Sequence, residues 1–214
     1  MGLFDKKMQV PVTIGKTADE KKVIKYFTAT NSGCLSGAMK DEAYDKMVMD
    51  KLNGFNAYQR ALEKIGLDED ELKEIPPVSF HGYEEGNYSK VGKDGRNRTS
   101  KYSTTWLLFS STQVYMYYLE FNMDSGDKME RTEEYFYEDI TSFSTQNTTR
   151  EYIVLKPSCL NKAGANKKYR ETSRFALIVP GDAFYCATSG SANVNQTISA
   201  VKQKLREKKN EQKN

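Results

Sequence analysis

Residues 102–121 have the sequence YSTTWLLFSSTQVYMYYLEF, and this stretch decides the fold class. The runs 102–110 and 113–121 are rich in aromatic and β-branched residues, which favour extended strands. The short polar segment Ser110–Ser111–Thr112 can form a tight turn between the two runs. The sequence therefore predicts two antiparallel strands joined by a hairpin.

Further strand candidates surround this hairpin. Residues 78–83 alternate as a half-buried strand does, and the turn Asp124–Asp127 (DSGD) precedes a returning strand over 129–137. Further along the chain, a long polar loop is expected between two of the candidates, over 158–168. The remaining predicted strands cover 140–145, 151–156, 173–179 and 184–188.

Apolar spacing predicts helices in the first third of the chain. Thr17, followed by acidic residues in the next turn, is a typical helix start. A second helix is predicted from Ser36 to Leu52, and a third over 55–65 with Gly66 as its stop signal. A short helix over 69–74 completes this helical region.

A boundary and a last helix complete the domain plan. The pair Pro76–Pro77 cannot lie inside a helix, so it separates a helical region, residues 1–75, from a β domain, residues 78–208. Val194, Ile198, Val201 and Leu205 recur at helical spacing and predict an amphipathic C-terminal helix, with Ser191 or Asn193 available as its cap. A polar tail, residues 209–214, follows. The fold class is α+β.

Three segments of the β domain are distinctive. They are WLLF (106–109) running into VYMY (114–117), EYFYEDI (134–140), and FALIV (175–179). With these segments, the order of about seven strands followed by one amphipathic helix resembles pleckstrin-homology-like domains, and bacterial members in particular. The resemblance covers residues 78–208 and nothing before Pro76. It implies an antiparallel β-barrel or sandwich closed by the C-terminal helix.

Composition narrows the class of protein. The 214 residues carry a net charge of +3, which is weak for a protein that binds nucleic acid through its phosphates. The three cysteines, Cys34, Cys159 and Cys186, are scattered and form no metal-binding or disulfide motif, as expected in a reducing cytoplasm. No apolar run has the length of a membrane span or a signal peptide. The expectation is a cytoplasmic protein that does not bind nucleic acid.

The sequence offers no recognisable catalytic apparatus. The single histidine, His81, could act as a general base, but no nucleophile motif accompanies it. The acidic residues Glu133, Glu134, Glu138 and Asp139 fit a solvated strand edge better than a pair of catalytic carboxylates. Asp124, Asp127 and Glu130 do not have the spacing of a calcium loop, and no phosphate-binding glycine motif occurs. We therefore predict a non-enzymatic protein without a cofactor or a metal.

One segment could form a ligand site, the basic loop over 90–101 (KVGKDGRNRTSK). Arginine forks and glycine-exposed backbone N–H groups bind phosphate oxygens. In phosphoinositide-binding pleckstrin-homology domains the loop between the first two strands carries such cations, and Lys93, Arg96 and Arg98 are the nearest match here. The candidate anionic site consists of Lys90, Lys93, Arg96, Arg98 and Lys101.

Three functions remain at this point. The leading prediction is a protein-interaction or scaffolding module that binds a protein or peptide, because the resemblance implies peptide binding along an open sheet edge. An exposed apolar groove between the last helix and its neighbouring strand would support it. The second is a binder of anionic ligands or acidic membrane surfaces through residues 90–101. The third is an enzyme with an unrecognised site around His81. The oligomeric state stays open.

Overall fold

The computed structural model describes residues 13–29, 39–67, 72, 76–156 and 164–211, with the backbone alone for 149–156 and 164–172. Within these residues the helices are α1 (Ala18–Thr28), α2 (Asp41–Gly54), α3 (Ala57–Ile65) and α4 (Val194–Glu211). The strands are β1 (Val78–Tyr83), β2 (Ser89–Val91), β3 (Asn97–Thr99), β4 (Lys101–Phe109), β5 (Gln113–Asn122), β6 (Lys128–Phe136), β7 (Ser142–Lys156), β8 (Gly164–Val179) and β9 (Asp182–Ala187). The predicted α+β class is confirmed.

The strands form two main antiparallel sheets. The large sheet has the order β1-β4-β5-β6, and the small sheet has the order β7-β8-β9. The predicted hairpin over 102–121 forms the centre of the large sheet, where Trp106 pairs with Tyr117. A separate two-stranded hairpin, β2–β3, occupies the loop between β1 and β4. No strand joins the two sheets within the described residues, so the expected closed barrel is not observed there.

Strand β5 is buried on both faces, which explains its unbroken apolar sequence. Val114 and Met116 belong to a core that also contains Phe175 and Phe184 of the small sheet. Leu119, on the opposite face of β5, belongs to a second core. Because successive side chains of a strand point to opposite faces, a strand between two cores is apolar at nearly every position.

Helix α4 packs against the first core. Ile198, Val201 and Leu205 are buried at the predicted spacing, and Lys209 donates a hydrogen bond to the carbonyl of Ile140. Each such side chain contributes about 1.5–3 kcal/mol when it is fully removed from water. The helix begins at Val194, directly after Asn193. The sequence prediction of an amphipathic last helix is confirmed, and its apolar stripe is covered.

The N-terminal helices pack on the other face of the large sheet. Thr17 caps α1 in a reciprocal capping box with Glu20, as the helix-start signal predicts. Buried side chains of α1, α2 and α3 share the second core with those of β4 and β5. The helical region and the β domain therefore have a common core, although Pro76–Pro77 separates them in sequence. That core includes Val23, Tyr26, Tyr44, Val48, Ala61, Leu62, Tyr102, Leu108, Tyr117 and Phe121.

The boundaries of α2 and α3 differ from the prediction: α2 ends at Gly54 and not at Leu52, and α3 begins at Ala57 and not at Phe55. Helix α2 begins at Asp41, because the backbone of Lys40 is extended; the predicted start, Ser36, lies outside the described residues. Helix α3 ends as predicted at Gly66, whose left-handed φ of 79° lets its N–H reach the carbonyl of Leu62 at 2.8 Å. The predicted helix over 69–74 lies outside the described residues, apart from the buried Leu72.

The small sheet corrects the strand prediction between 140 and 179. The two candidates 140–145 and 151–156 are parts of one strand, β7, which pairs with β8 in continuous register from Ser142↔Ile178 to Lys156↔Gly164. The predicted loop over 158–168 is strand from Gly164 onward, while residues 158–163 lie outside the described part. Between 144 and 149 the sequence STQNTT lacks the apolar alternation that marks a strand, which explains the error.

Candidate functional site

The basic loop folds into the β2–β3 hairpin. Its tip is closed by hydrogen bonds from the N–H of Gly92 to the carbonyl of Arg96 and from the N–H of Gly95 to the carbonyl of Gly92. Gly95 has a φ of 79°, a left-handed conformation that glycine adopts without strain. The turn leaves the side chains of Lys93 and Arg96 exposed at the tip.

Arg98 is buried beneath this tip and fully engaged. Only 1% of its surface is exposed, and the Nε and Nη2 atoms each lie 2.7 Å from a carboxylate oxygen of Asp45. Nη1 and Nη2 also donate to Asp94 at 2.9 and 2.8 Å, and Nη1 lies 3.5 Å from the carbonyl of Arg96. These bonds use all five guanidinium donors. The two carboxylates hold the pKa of Arg98 above its usual value, and Arg98 lowers the pKa of Asp94. A phosphate could bind Arg98 only by displacing a carboxylate.

Two more cations of the predicted site have partners inside the protein. Lys90 lies over the ring of Tyr26, 4.3 Å from its centroid, and donates to the carbonyl of the same residue at 3.4 Å. The ammonium group of Lys101 lies 3.0 Å from a carboxylate oxygen of Glu120. The structure therefore places four of the five predicted residues on the β2–β3 hairpin, whereas Lys101 begins β4. Only two of the five, Lys93 and Arg96, present side chains without a described partner.

The hairpin is fastened to the helical region through two acids of α2. Asp45 binds Arg98, and Asp41 accepts hydrogen bonds from the N–H of Lys93 and from the hydroxyl of Tyr26, both at 2.9 Å. These bonds lower the pKa of Asp41, although burial alone would raise it. The two acids are four residues apart and so lie on one helix face. The same face carries the buried Tyr44. Two acids at this spacing on a partly buried face could have predicted, from the sequence, that a cation of the protein pairs with them.

Beside the tip lies a polar pocket of about 480 Å³. Arg96 lines it, but so does Asp94, whose carboxylate offsets the positive charge of the arginine. Hydroxyl groups of Ser173 and Ser189 complete a wall with Tyr83 and Asn97. The pocket thus offers an anionic ligand one cation beside one acid, a weaker site than five clustered cations.

His81 lies in β1 on the helix-facing side of the large sheet. Its Nδ1 atom is 2.6 Å from the hydroxyl of Tyr102, and burial lowers its pKa, so the ring is neutral at pH 7. Among the described residues, no carboxylate and no serine or cysteine side chain bonds to the ring. The arrangement does not assemble the groups that nucleophilic catalysis requires.

The outer edge of β1 is covered by the chain. The N–H of His81 donates to Ser191 Oγ at 2.8 Å, and its carbonyl accepts from the N–H of Gly190 at 2.9 Å. The N–H of Tyr83 donates to Ser189 Oγ at 3.1 Å. Segment 189–191 therefore occupies the hydrogen-bonding positions that a further strand would otherwise use.

The opposite edge of the large sheet, β6, is open in the part of the chain that the structure describes. Two hydrogen bonds at the ends of the β5–β6 pair show which residues of β6 bond to β5. Asn122 N–H donates to the carbonyl of Asp127, and Tyr137 N–H donates to the carbonyl of Thr112. By the alternation of an antiparallel ladder, the other residues direct their backbone groups away from β5. No described residue bonds to those groups. They belong to Lys128, Glu130, Thr132, Glu134 and Phe136.

An aromatic ring and three carboxylates around the C-terminal end of β6 are exposed, and the carboxylates have no ion-pair partner among the described residues. Phe136 is 49% exposed, which is high for an aromatic ring. Glu134, Glu138 and Asp139 around it are exposed and form no ion pair in the described structure. By contrast, Glu130 near the other end is held by Arg60, Lys64 and Lys128. The end of β6 thus combines an exposed ring with three carboxylates and backbone groups that bond to no described residue.

Comparisons with known proteins identify no relative: no family model, no curated protein and no solved structure matches the chain. None of the helices in the described parts is long and apolar enough to cross a bilayer. Nor do the described residues bring three potential metal-binding side chains of the His, Cys, Asp or Glu type together. The geometry of the sites is therefore the basis for any functional assignment.

Proposed function

We propose that this protein is a non-catalytic protein-interaction module that binds an extended segment of a partner along β6. The observation that carries the proposal is the contrast between the two edges of the large sheet. One edge is covered by residues 189–191, whereas the nine-residue strand β6 leaves its outward backbone groups unbonded in the described structure. Long open edges are normally avoided, because they pair with other chains. Strand addition at such an edge is a common mode of peptide recognition.

A pleckstrin-homology-like architecture is part of this proposal. Four strands in one sheet, three in a second and a C-terminal helix, with β2–β3 as an insertion, support it. A groove between α4 and its neighbouring strand would be the alternative place for a peptide. However, the apolar residues of α4 are buried, and the large exposed apolar side chains of the described sheets lie on β6 and β9. The open edge is therefore the better-supported docking surface. A cytoplasmic location is also proposed, and the buried free thiol of Cys186 is consistent with it.

The charges around β6 indicate the chemistry of the partner. The carboxylates of Glu134, Glu138 and Asp139, which pair with no described cation, favour basic residues. The exposed ring of Phe136 favours an apolar or aromatic side chain. The charged groups along β6 also discourage pairing between two copies of the strand. The expected ligand is an extended peptide with basic residues next to an apolar one.

A proline substitution tests this proposal without disrupting the sheet. Thr132 is exposed, and its N–H points away from β5, so Thr132→Pro removes an outward donor but no hydrogen bond of the ladder. Thr132→Ala is the matched control. Arg131→Pro removes an N–H that bonds to β5, and we expect it to disrupt folding.

The assay is a selection of nine-residue peptides, the length of β6, from a random display library. Enriched peptides are then titrated against each variant while amide shifts are followed by NMR. We expect basic-apolar peptides that bind wild type and Thr132→Ala, lose binding to Thr132→Pro, and protect the outward amides of β6 from hydrogen exchange. Failure to enrich any peptide, or peptides that bind Thr132→Pro equally well, would contradict the proposal.

A second candidate is contact with acidic membrane surfaces, which the exposed pair Lys93 and Arg96 favours. The internal pairing of Lys90, Arg98 and Lys101 leaves little charge for it. It is therefore the weaker of the two candidates.

A further inference from the structure

A second pocket of about 480 Å³ lies between the helices and the large sheet, away from β6. Its floor consists of four neighbouring side chains on paired strands, Ser79 and His81 of β1 and Thr104 and Trp106 of β4. Its roof is the end of α2, the turn after it and the beginning of α3. The roof residues are Met49, Leu52, Asn53, Asn56, Ala57, Tyr58 and Gln59. Pockets of this volume accommodate small organic ligands.

The lining of this pocket is uncharged but rich in hydrogen-bonding groups. No Lys, Arg, Asp or Glu is among the lining residues, and the single histidine is neutral. Three amide side chains, those of Asn53, Asn56 and Gln59, have no described hydrogen-bond partner and are exposed at the pocket. An amide group carries both donors and acceptors, so the three together can satisfy a ligand edge that presents both.

Asn56 holds its position with an unusual backbone. Its φ of 49° and ψ of 48° are left-handed, a conformation that only a few per cent of non-glycine residues adopt. Hydrogen bonds on both sides fix it: its N–H donates to the carbonyl of Asn53, and its carbonyl accepts from the N–H of Arg60, both at 3.1 Å. Its side chain does not cap α3. Glycine would relieve the strain but would not supply an amide, and retained strain of this kind clusters at ligand sites.

The aromatic groups supply a stacking surface and a fixed polar tip. The rings of Trp106 and Tyr58 contact each other, with centroids 5.0 Å apart and planes inclined by 43°, so a flat ligand stacks on one of them and is not inserted between them. His81 is oriented by the bond between its Nδ1 atom and Tyr102. Its Nε2 atom bonds to no described residue and can act as a donor or an acceptor according to the tautomer.

We propose that this pocket binds an uncharged heteroaromatic ring of the nucleobase class, stacked on Trp106 or Tyr58 with its polar edge toward Asn53, Asn56, Gln59 and His81. Paired donors and acceptors of side-chain amides match the edges of such rings. The pocket offers no cation to a phosphate, so a nucleoside binds at least as tightly as its nucleotide. This site is separate from β6 and does not depend on peptide binding there.

The chain contains a single tryptophan, Trp106, so its fluorescence reports directly on the pocket. The four common ribonucleosides, their free bases and their 5′-monophosphates are titrated separately. We expect saturable quenching by at least one base or nucleoside, with no tighter binding of its monophosphate. Maltose serves as an uncharged ligand without an aromatic ring and is expected to have no effect.

Two amide variants test the residue assignment. Asn56→Gly keeps the left-handed backbone and removes the amide, and we expect affinity to fall about tenfold, the effect of losing one net hydrogen bond of about 1.4 kcal/mol. Gln203→Leu, an exposed amide on α4, is the matched control and is expected to bind as wild type. Circular dichroism verifies that both variants are folded. Any of four results would overturn the proposal. They are the absence of saturable quenching, tighter binding of monophosphates than of nucleosides, quenching by maltose alone, and an unchanged affinity of Asn56→Gly.

Discussion

Removing the carboxylate of Asp45 on α2 should destabilise the protein more than removing any single charge of the β2–β3 hairpin to which it is bonded. Asp45 accepts two bonds from the guanidinium group of Arg98 at 2.7 Å and one from the hydroxyl of Tyr83, also at 2.7 Å. Asp45→Ala would leave a cation that is only 1% exposed with Asp94 alone. Breaking a buried pair in this way costs about 3–5 kcal/mol, a large part of the roughly 5–15 kcal/mol by which proteins are stable.

The related substitutions should cost less, because they leave groups that water can reach. The side chain of Asp94 is 43% exposed, so Asp94→Ala should cost about 1–2 kcal/mol. Arg98→Met removes the buried charge itself and leaves two carboxylates that are 30% and 43% exposed. Since both acids can be rehydrated, we expect a similar cost of about 1–2 kcal/mol. The double variant Asp45→Ala/Arg98→Met should cost clearly less than the sum of its parts.

Urea denaturation measures these differences. With a slope near 2 kcal/mol per molar urea, Asp45→Ala should lower the midpoint by about 1.5–2.5 M. Asp50→Ala is the matched control, because it removes an exposed acid from the same helix and should change stability by no more than about 0.5 kcal/mol. Two results would refute the conclusion that buried Arg98 holds the hairpin to α2. One is a loss of stability in Asp45→Ala equal to that in Asp50→Ala, and the other is additive losses of stability in the double variant.

Three further outcomes can be measured. Burial lowers the pKa of His81, so the unfolded chain binds a proton more readily than the folded protein. The free energy of unfolding should therefore have its full value above the unfolded pKa of about 6.5 and decrease as the pH drops through it. Between about pH 7.5 and 5.5, the urea midpoint should fall more in wild type than in His81→Gln. An equal fall in both proteins would argue against a lowered pKa of His81. Gly92→Ala places a methyl group against a guanidinium nitrogen and two carboxylates and should cost about 1–3 kcal/mol in thermal unfolding, whereas Gly126→Ala meets open space and should be neutral. Co-sedimentation with acidic liposomes should be weak. Strong, salt-sensitive binding that Lys93→Glu/Arg96→Glu abolishes would instead favour contact with acidic membranes as the function.

Local patterns were sufficient to predict the elements whose structure depends on neighbouring residues. The capping box at Thr17, the stop at Gly66 and the apolar spacing that ends at Leu205 each involve residues within one or two helical turns. The apolar run over 102–121 predicted its hairpin because both strands are buried on two faces. In β7 the same approach failed, since Ser, Thr, Gln and Asn at exposed strand positions do not alternate with apolar residues.

The anionic site could not be evaluated from the sequence, because most partners of its cations, Asp94 excepted, are distant in the chain. Arg98 and Asp45 are 53 positions apart, and the carbonyl that Lys90 contacts is 64 positions away. A loop of cations appears free for a ligand until the fold brings acids and aromatic rings to it. The spacing of Asp41 and Asp45 on a buried helix face was the available signal, and it indicated only that some cation was needed.

Charge density and free hydrogen-bonding capacity therefore point to different parts of this molecule. The charged hairpin uses the cations of Lys90 and Arg98 and the backbone N–H of Lys93 to bind helices α1 and α2, so that its ligand-binding potential is low. The edge of β6 and the amides around Asn56 carry no excess of positive charge, yet their donors and acceptors have no described partner. Because exposed donors and acceptors without a protein partner can exchange their bound water for a ligand, function should be sought first at β6 and in the Trp106 pocket.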